Sequence, residues 1–141
     1  MAIPTSSTVF VNNAEIEFEA YYIDGYNYFK LRDLAYALNG TEKQFEVQWN
    51  EATGAIDLLA GQPYTSINSE MMQGVGAAKE AFLNASIDIS FDGYQIEITA
   101  YLIEGSNYVR LRDVMRQLDV YVGYDEVTRN IIIDTSRMYE D

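Results

Sequence analysis

The chain has 141 residues, 48% of them hydrophobic, and its nine Lys and Arg side chains stand against 22 Asp and Glu, which gives a formal net charge of -13. This composition predicts a folded protein of one ordinary or two very small domains, and the negative charge disfavours nucleic acid and anionic lipid surfaces as partners. The absence of cysteine and histidine excludes disulfides, thiolate or imidazole catalysis and His or Cys metal sites. No apolar run approaches the roughly 20 residues that span a bilayer, so no membrane insertion is expected.

The first regular pattern is an alternation of apolar and acidic residues along residues 14–23, which at period two predicts a half-buried strand. Asp24 and Gly25 tolerate the positive φ of a two-residue hairpin turn, and the chain then returns along a strand at residues 26–30. A short amphipathic helix follows, because its apolar residues have the spacing i, i+3, i+4 and i+7. These residues are Leu31, Leu34, Ala35 and Leu38. Residues 45–59 then predict a strand, a polar turn and a strand.

The same order of patterns returns 80 positions later. Residues 20–39 match residues 100–119 without a gap at ten of twenty positions, and beyond a five-residue segment that has no counterpart the match resumes at an offset of 75. We therefore predict two repeats at residues 8–61 and 85–137, each with the order β-β-β-α-β-β, and a Gly-, Ser- and Ala-rich connector at residues 62–84. Units of about 50 to 60 residues bury too little surface to be stable alone, so the two are expected to share an apolar interface.

The hairpin AY.I.G.NY, the helix start LRD, the pair WN or YD and the closing IIIDTS form a combined pattern that covers nearly the whole chain. This pattern resembles the copper amine oxidase N-terminal-like family, also named stalk domains. The resemblance implies an α+β fold in which each repeat is a small curled antiparallel sheet of about five strands around one helix. The family occurs in exported and surface proteins of bacteria, mainly Gram-positive ones, so an extracellular or cell-surface location is expected. The start of the sequence lacks the features of a signal peptide, which does not bear on this expectation.

The family name refers to enzymes whose copper and tyrosine-derived quinone belong to a separate catalytic domain with histidine ligands. This chain has no histidine, so we expect no copper, no other cofactor, no metal site and no catalytic residue. The resemblance therefore implies a non-catalytic surface module that spaces or presents other domains, or that binds a polysaccharide or protein of the cell envelope. The alternative is a glycan-acting enzyme that uses carboxylates, which would need two convergent carboxylates in a deep groove.

Tyrosines face each other across both predicted hairpins, with Tyr21 opposite Tyr28 and Tyr101 opposite Tyr108. If they are exposed, they offer a flat amphipathic surface to sugar rings or a protein partner, and they are the predicted ligand-binding residues. The structural interpretation, which we favour, is that such cross-strand pairs stabilise the sheet by roughly 0.2 to 1 kcal/mol each. Both interpretations remain open on the sequence alone.

An Arg-Asp pair begins both predicted helices, as Arg32-Asp33 and Arg112-Asp113. Such a pair suits a helix start, where the Asp lies near the positive end of the helix dipole and the Arg ties down a nearby strand end or carboxylate. A catalytic role for the pair has no further support in the sequence. These four residues are therefore predicted as a structural motif.

Overall fold

The computed structural model describes residues 2–5, 7–52, 54–67, 70–71, 78–83 and 88–140. These residues form fourteen strands and two helices. Most strand pairs are antiparallel, so the predicted α+β class is confirmed. Neither helix in the described part of the chain is long and apolar enough to cross a membrane.

The two halves of the chain contribute the same succession of elements. The first half contains β1 (Ile3–Pro4), β2 (Val9–Val11), β3 (Ala14–Ile16), β4 (Ala20–Ile23), β5 (Tyr26–Lys30), α1 (Leu31–Leu38), β6 (Phe45–Asn50) and β7 (Ala55–Ala60). The second half contains β8 (Phe82–Leu83), β9 (Ile89–Phe91), β10 (Tyr94–Ile96), β11 (Ala100–Ile103), β12 (Ser106–Arg110), α2 (Leu111–Leu118), β13 (Tyr121–Asp125) and β14 (Asn130–Asp134).

The hairpin between β4 and β5 has the predicted two-residue turn. Asp24 and Gly25 adopt φ angles of 49° and 91°, and Ile23 pairs with Tyr26. The single strand predicted at residues 14–23 is wrong, because it breaks into β3 and β4, which belong to different sheets. The apolar and acidic alternation continues through the break, so periodicity alone does not locate it.

The centre of the structure is a seam between β5 and β12, which pair antiparallel in a six-stranded sheet of order β1-β4-β5-β12-β11-β8. Phe29 lies opposite Val109, the residue that matches it 80 positions later. On either side of them, Tyr28 pairs with Arg110 and Lys30 pairs with Tyr108. The two halves therefore meet through equivalent strands in a nearly symmetric register.

The other two sheets mix strands of both halves. Their orders are β10-β9-β7-β6 and β13-β14-β2-β3, and each joins one hairpin from each half through a parallel pair, β7 with β9 or β2 with β14. A parallel pair requires a long crossover connection, and the chain between β7 and β9 supplies one. This arrangement differs from the expected separate five-stranded sheet in each half. The division into repeats at residues 8–61 and 85–137 stays a prediction.

One apolar core contains both helices. Its buried residues include Leu34 and Leu38 of α1, Val114 and Met115 of α2, and Leu58 of β7. Each fully buried side chain of this kind contributes roughly 1.5–3 kcal/mol relative to its exposure to water. Because the cluster draws on both halves, each half depends on the other for much of its burial.

Phe29 is the residue whose loss tests the seam. It is fully buried and contacts the ring of Phe18 edge-on, with centroids 5.1 Å apart. Phe29→Ala leaves a cavity at the seam, so we expect the free energy of unfolding, measured in urea, to fall by about 3–5 kcal/mol. Tyr94→Ala is the control, because Tyr94 is 79% exposed, and it should stay within about 0.5 kcal/mol of the parent. An equally small effect of Phe29→Ala would contradict the importance of the seam.

Candidate functional site

The predicted tyrosine pairs form as expected across both hairpins: Tyr21 lies opposite Tyr28, and Tyr101 opposite Tyr108. The exposure that the binding interpretation requires is missing for three of the four, since Tyr21, Tyr28 and Tyr108 are only 3%, 2% and 2% exposed. The seam explains this burial, because it brings the two hairpins side by side in one sheet. Tyr21 then packs edge-on against Tyr108 and Tyr28 packs edge-on against Tyr101, with ring centroids 5.4 and 5.1 Å apart.

Glu19 binds the hydroxyl groups of this buried tyrosine cluster. Its carboxylate accepts hydrogen bonds from Tyr21 at 3.0 Å and from Tyr108 at 3.2 Å, and it lies 3.9 Å from the Lys30 ammonium. Burial, and then the bond to Glu19, raise the pKa of Tyr21 to about 12. Tyr21 and Tyr108 therefore stay neutral and act as packing and hydrogen-bonding groups, and they do not present a flat binding surface.

The two Arg-Asp motifs lie at the predicted helix starts, with Asp33 and Asp113 in the first turns. Asp33 is fully buried and accepts a hydrogen bond from the Met71 backbone N–H at 2.9 Å. Asp113 accepts one from the Thr99 backbone N–H at 3.1 Å. Each Asp thus ties another segment of the chain to the helix start. The arginines have a different environment, because each lines a cleft.

The larger cleft has a volume of about 560 Å³ and lies between β4, β5, β12 and β13. We name it the arginine cleft, because Arg110, Arg112 and Arg129 line it. Its other described polar and aromatic lining residues are Thr5, Ser7, Tyr22, Tyr26, Asn27 and Tyr124. The three tyrosines are about half exposed, so their rings are accessible from the solvent.

Arg110 is held in place by aromatic contacts rather than by an ion pair. The centre of its guanidinium lies 3.9 Å from the centroid of the Tyr26 ring, and its Nη2 lies 3.5 Å from the Tyr28 hydroxyl. Its Nε is buried and has no hydrogen-bond partner among the described residues. Arg112 has no hydrogen bond or ion pair within the described part of the chain. The donors left for a ligand are therefore the guanidinium N–H groups of Arg112 and those Nη N–H groups of Arg110 that do not bond to Tyr28.

The charge of the arginine cleft is opposite to that of the whole chain. None of the described residues that line it is Asp or Glu, although the chain has 22 of them. Three of the nine basic side chains lie in this one place. A concave site lined by one sign of charge focuses the electrostatic potential. The arrangement suits an anionic ligand with flat rings, bound by guanidinium groups and stacked on tyrosine.

A second cleft of about 420 Å³ occupies the equivalent place in the first half, and we name it the connector cleft. Positions shifted by 80 or 75 residues relate the two linings. Lys30, Arg32, Val47, Trp49, Ile56 and Asn107 in the connector cleft correspond to Arg110, Arg112, Val122, Tyr124, Ile131 and Asn27 in the arginine cleft. The connector cleft additionally contains Asp33, and the connector contributes Ile67 and Glu70.

Tyr64 and Glu70 neutralise the connector cleft. Arg32 donates a hydrogen bond to the Tyr64 hydroxyl at 3.3 Å, and this hydroxyl in turn donates to the Glu70 carboxylate. Burial raises the pKa of Glu70, but bonds from Tyr64, the Ile67 backbone N–H and the Ser66 hydroxyl outweigh it and lower the pKa to about 2. Glu70 is therefore a carboxylate at neutral pH, close to the arginine of the cleft.

The sequence patterns do not predict either cleft, because each wall combines strands that are far apart in the chain. Arg112 and Arg32 were expected in a structural motif, whereas Arg110, Arg129 and Tyr124 carried no prediction of a site. One feature of the sequence does point to the clefts. Each half has two basic residues at positions i and i+2, namely Lys30 and Arg32 in the first half and Arg110 and Arg112 in the second. No group of three Asp, Glu, His or Cys residues that could hold a metal occurs in the described part of the chain.

The profile of the copper amine oxidase N-terminal domain matches residues 10–133 in one span. The chain belongs to this family. In copper amine oxidases the domain is a non-catalytic, stalk-like accessory module, which agrees with the implied family and its accessory role. No characterised protein and no solved structure matches the chain.

Asp33 makes the stability of this region depend on pH. Burial raises its pKa, and the bond from Met71 and the charge of Lys30 offset this only in part. The folded state therefore binds the proton more tightly than the unfolded state, so this group costs stability as the pH rises from about 3.9 through the folded-state pKa. We expect the free energy of unfolding in urea of Asp33→Asn, relative to that of the parent, to increase from pH 4 to pH 7. A constant difference across this range would contradict the assignment.

Proposed function

We propose that this chain is a non-catalytic binding module of an exported bacterial surface protein, and that its arginine cleft holds an acidic polysaccharide of the cell envelope. The observation that supports the proposal is the cleft itself, with Arg110, Arg112 and Arg129 in its wall and no Asp or Glu among its described lining residues. A family role as a stalk-like accessory is compatible with this, because a module that presents other domains can also hold them on the envelope.

The residue types in the cleft favour sugar acids over other ligands. Guanidinium groups form paired hydrogen bonds with carboxylate or phosphate oxygens. The half-exposed rings of Tyr22, Tyr26 and Tyr124 provide apolar faces with polar edges, to which a sugar ring can bind with little loss of side-chain entropy. Thr5 and Asn27 add neutral polar groups that match sugar hydroxyls.

The net charge of -13 restricts the anionic ligands that fit. Nucleic acid duplexes carry a charge about every 1.7 Å, and such a dense polyanion is repelled by the acidic surface outside the cleft. Beyond about 8 Å at physiological salt, screening suppresses this repulsion. A polysaccharide with acidic groups separated by sugar rings therefore places one group at the arginines while its other charges are farther from the surface.

The enzymatic alternative has weaker support. Hydrolysis of a glycan by carboxylates requires two of them on opposite sides of the scissile bond. The larger cleft has no Asp or Glu among its described lining residues. The connector cleft has Asp33 and Glu70, but both bind backbone N–H groups of the connector. We therefore infer a binding role without catalysis.

Arg112→Gln tests the proposal, because it removes one positive charge from the wall of the arginine cleft. The substitution breaks no ion pair among the described residues. Calorimetric titration with a galacturonic acid oligomer should show a loss of affinity of roughly tenfold or more, the expected cost of losing a charge-assisted hydrogen bond. Arg137→Gln is the matched control. Arg137 is exposed, stacks on Tyr121 and lies outside the cleft, so its loss should leave the affinity nearly unchanged.

Further titrations identify the ligand. A glycerol phosphate oligomer distinguishes phosphate from carboxylate as the recognised group, and a neutral glucose oligomer should not bind measurably. Stronger binding of a tetraglutamate peptide than of either acidic oligomer would favour a protein partner over a polysaccharide. If Arg112→Gln and Arg137→Gln weaken binding equally, the ligand is not held in the arginine cleft.

A further inference from the structure

We propose that the connector cleft is a second site for the same class of acidic sugar, and that Glu70 is an internal competitor that keeps this site neutral. The inference rests on the proposed function for the class of ligand. It depends on three observations: the matched linings of the two clefts, the contacts that Glu70 makes, and the different contacts at the equivalent place in the second half.

The matched linings give both clefts the same binding groups. Lys30 and Arg32 occupy the positions of Arg110 and Arg112, and Trp49 occupies that of Tyr124. Trp49 is 54% exposed, and its indole ring has a larger face than a phenol for stacking on a sugar. Without Glu70, the connector cleft would therefore present Lys30 and Arg32 beside an exposed aromatic ring, with the buried Asp33 as its one remaining carboxyl group among the described lining residues.

The connector supplies a carboxylate to the connector cleft, and the arginine cleft has no such group among its described lining residues. Tyr64 links the Arg32 guanidinium to the Glu70 carboxylate through its hydroxyl group. The tyrosine at the matching position in the second half is Tyr139, and it stacks instead on Arg116, with the guanidinium 5.4 Å from the ring centroid. Arg112 therefore has no such carboxylate in the described part of the chain, whereas Arg32 has one.

Glu70 can be neutralised without detaching the connector. Its hydrogen bonds are to its near neighbours Ser66 and Ile67 and to Tyr64. Other bonds hold the connector on the domain. The Tyr64 backbone N–H donates to Asn39 at 2.9 Å, and the Thr65 hydroxyl donates to Glu46 at 2.6 Å. The Glu70 carboxylate thus adds negative charge to the connector cleft, whereas other residues attach the connector to the domain.

Glu70→Gln is the test, and Trp49 is the reporter. Trp49 is the only tryptophan of the chain, so its fluorescence responds to occupation of the connector cleft. With a galacturonic acid oligomer, we expect a saturable change of Trp49 emission in Glu70→Gln, with an apparent affinity roughly fivefold or more above that of the parent, because the competing carboxylate is gone. Calorimetry should then give about two bound oligomers per chain, where the parent gives about one.

Three variants make the result specific. Glu80→Gln removes the same charge from an exposed position outside both clefts and should behave like the parent. Arg32→Gln combined with Glu70→Gln should abolish the change of Trp49 emission. Glu70→Ala also removes the carboxylate and should give the same gain as Glu70→Gln, which protects the test against misfolding of one variant.

The outcomes separate this inference from the proposed function. If the parent binds one oligomer and Glu70→Gln produces no change of Trp49 emission, the second site is refuted while the arginine cleft stands. An equal change of Trp49 emission in the parent and in Glu70→Gln would refute the competitor role. If the parent shows no calorimetric binding but Trp49 responds in Glu70→Gln, the connector cleft stands and the function proposed for the arginine cleft fails.

Discussion

The pairing of β5 with β12 is the constraint on which the rest of the structure depends. Phe29 and Val109 lie opposite each other and are fully buried in the apolar core on one face of the sheet. On the other face, the same register places Tyr21 against Tyr108. Because side chains alternate between faces, a slip of one residue at this seam would expose the core and bury charged groups. One short pair of strands therefore fixes the relation of the two halves.

The seam also builds the clefts, since each cleft has walls from both halves. Arg110 and Arg112 in the arginine cleft come from the second half, whereas Tyr22 and Tyr26 come from the first. The same holds for the connector cleft, where Asn107 faces residues of the first half. The stacking of Arg110 on Tyr26 is a contact between halves. Binding groups on two halves are aligned only when the complete core is formed, so folding and the geometry of the site are coupled.

Local features of this fold are predictable from the sequence, and contacts between distant segments are not. Hairpin turns and short helices follow from residues close in the chain, such as Asp24 and Gly25 with their positive φ angles. The parallel pair of Val9 with Ile131 joins segments at opposite ends of the chain, and no periodicity encodes it. The tyrosine pairs were predictable for the same local reason, but their burial was not, because it depends on which hairpin lies beside them.

The contrast between the clefts shows how one framework can carry two electrostatic environments. The backbone positions are equivalent, and the basic pair is kept in both, yet Asp33 and the connector's Glu70 line only one of the two clefts and change its balance of charge. Burial alone would favour a neutral Glu70, but three hydrogen bonds within the connector keep it ionised. Hydrogen bonds within the connector thus offset the desolvation of the Glu70 carboxylate. The carboxylate therefore stays charged and makes the connector cleft more negative. A change in the connector can therefore alter ligand preference while the core, the seam and the sheets stay as they are.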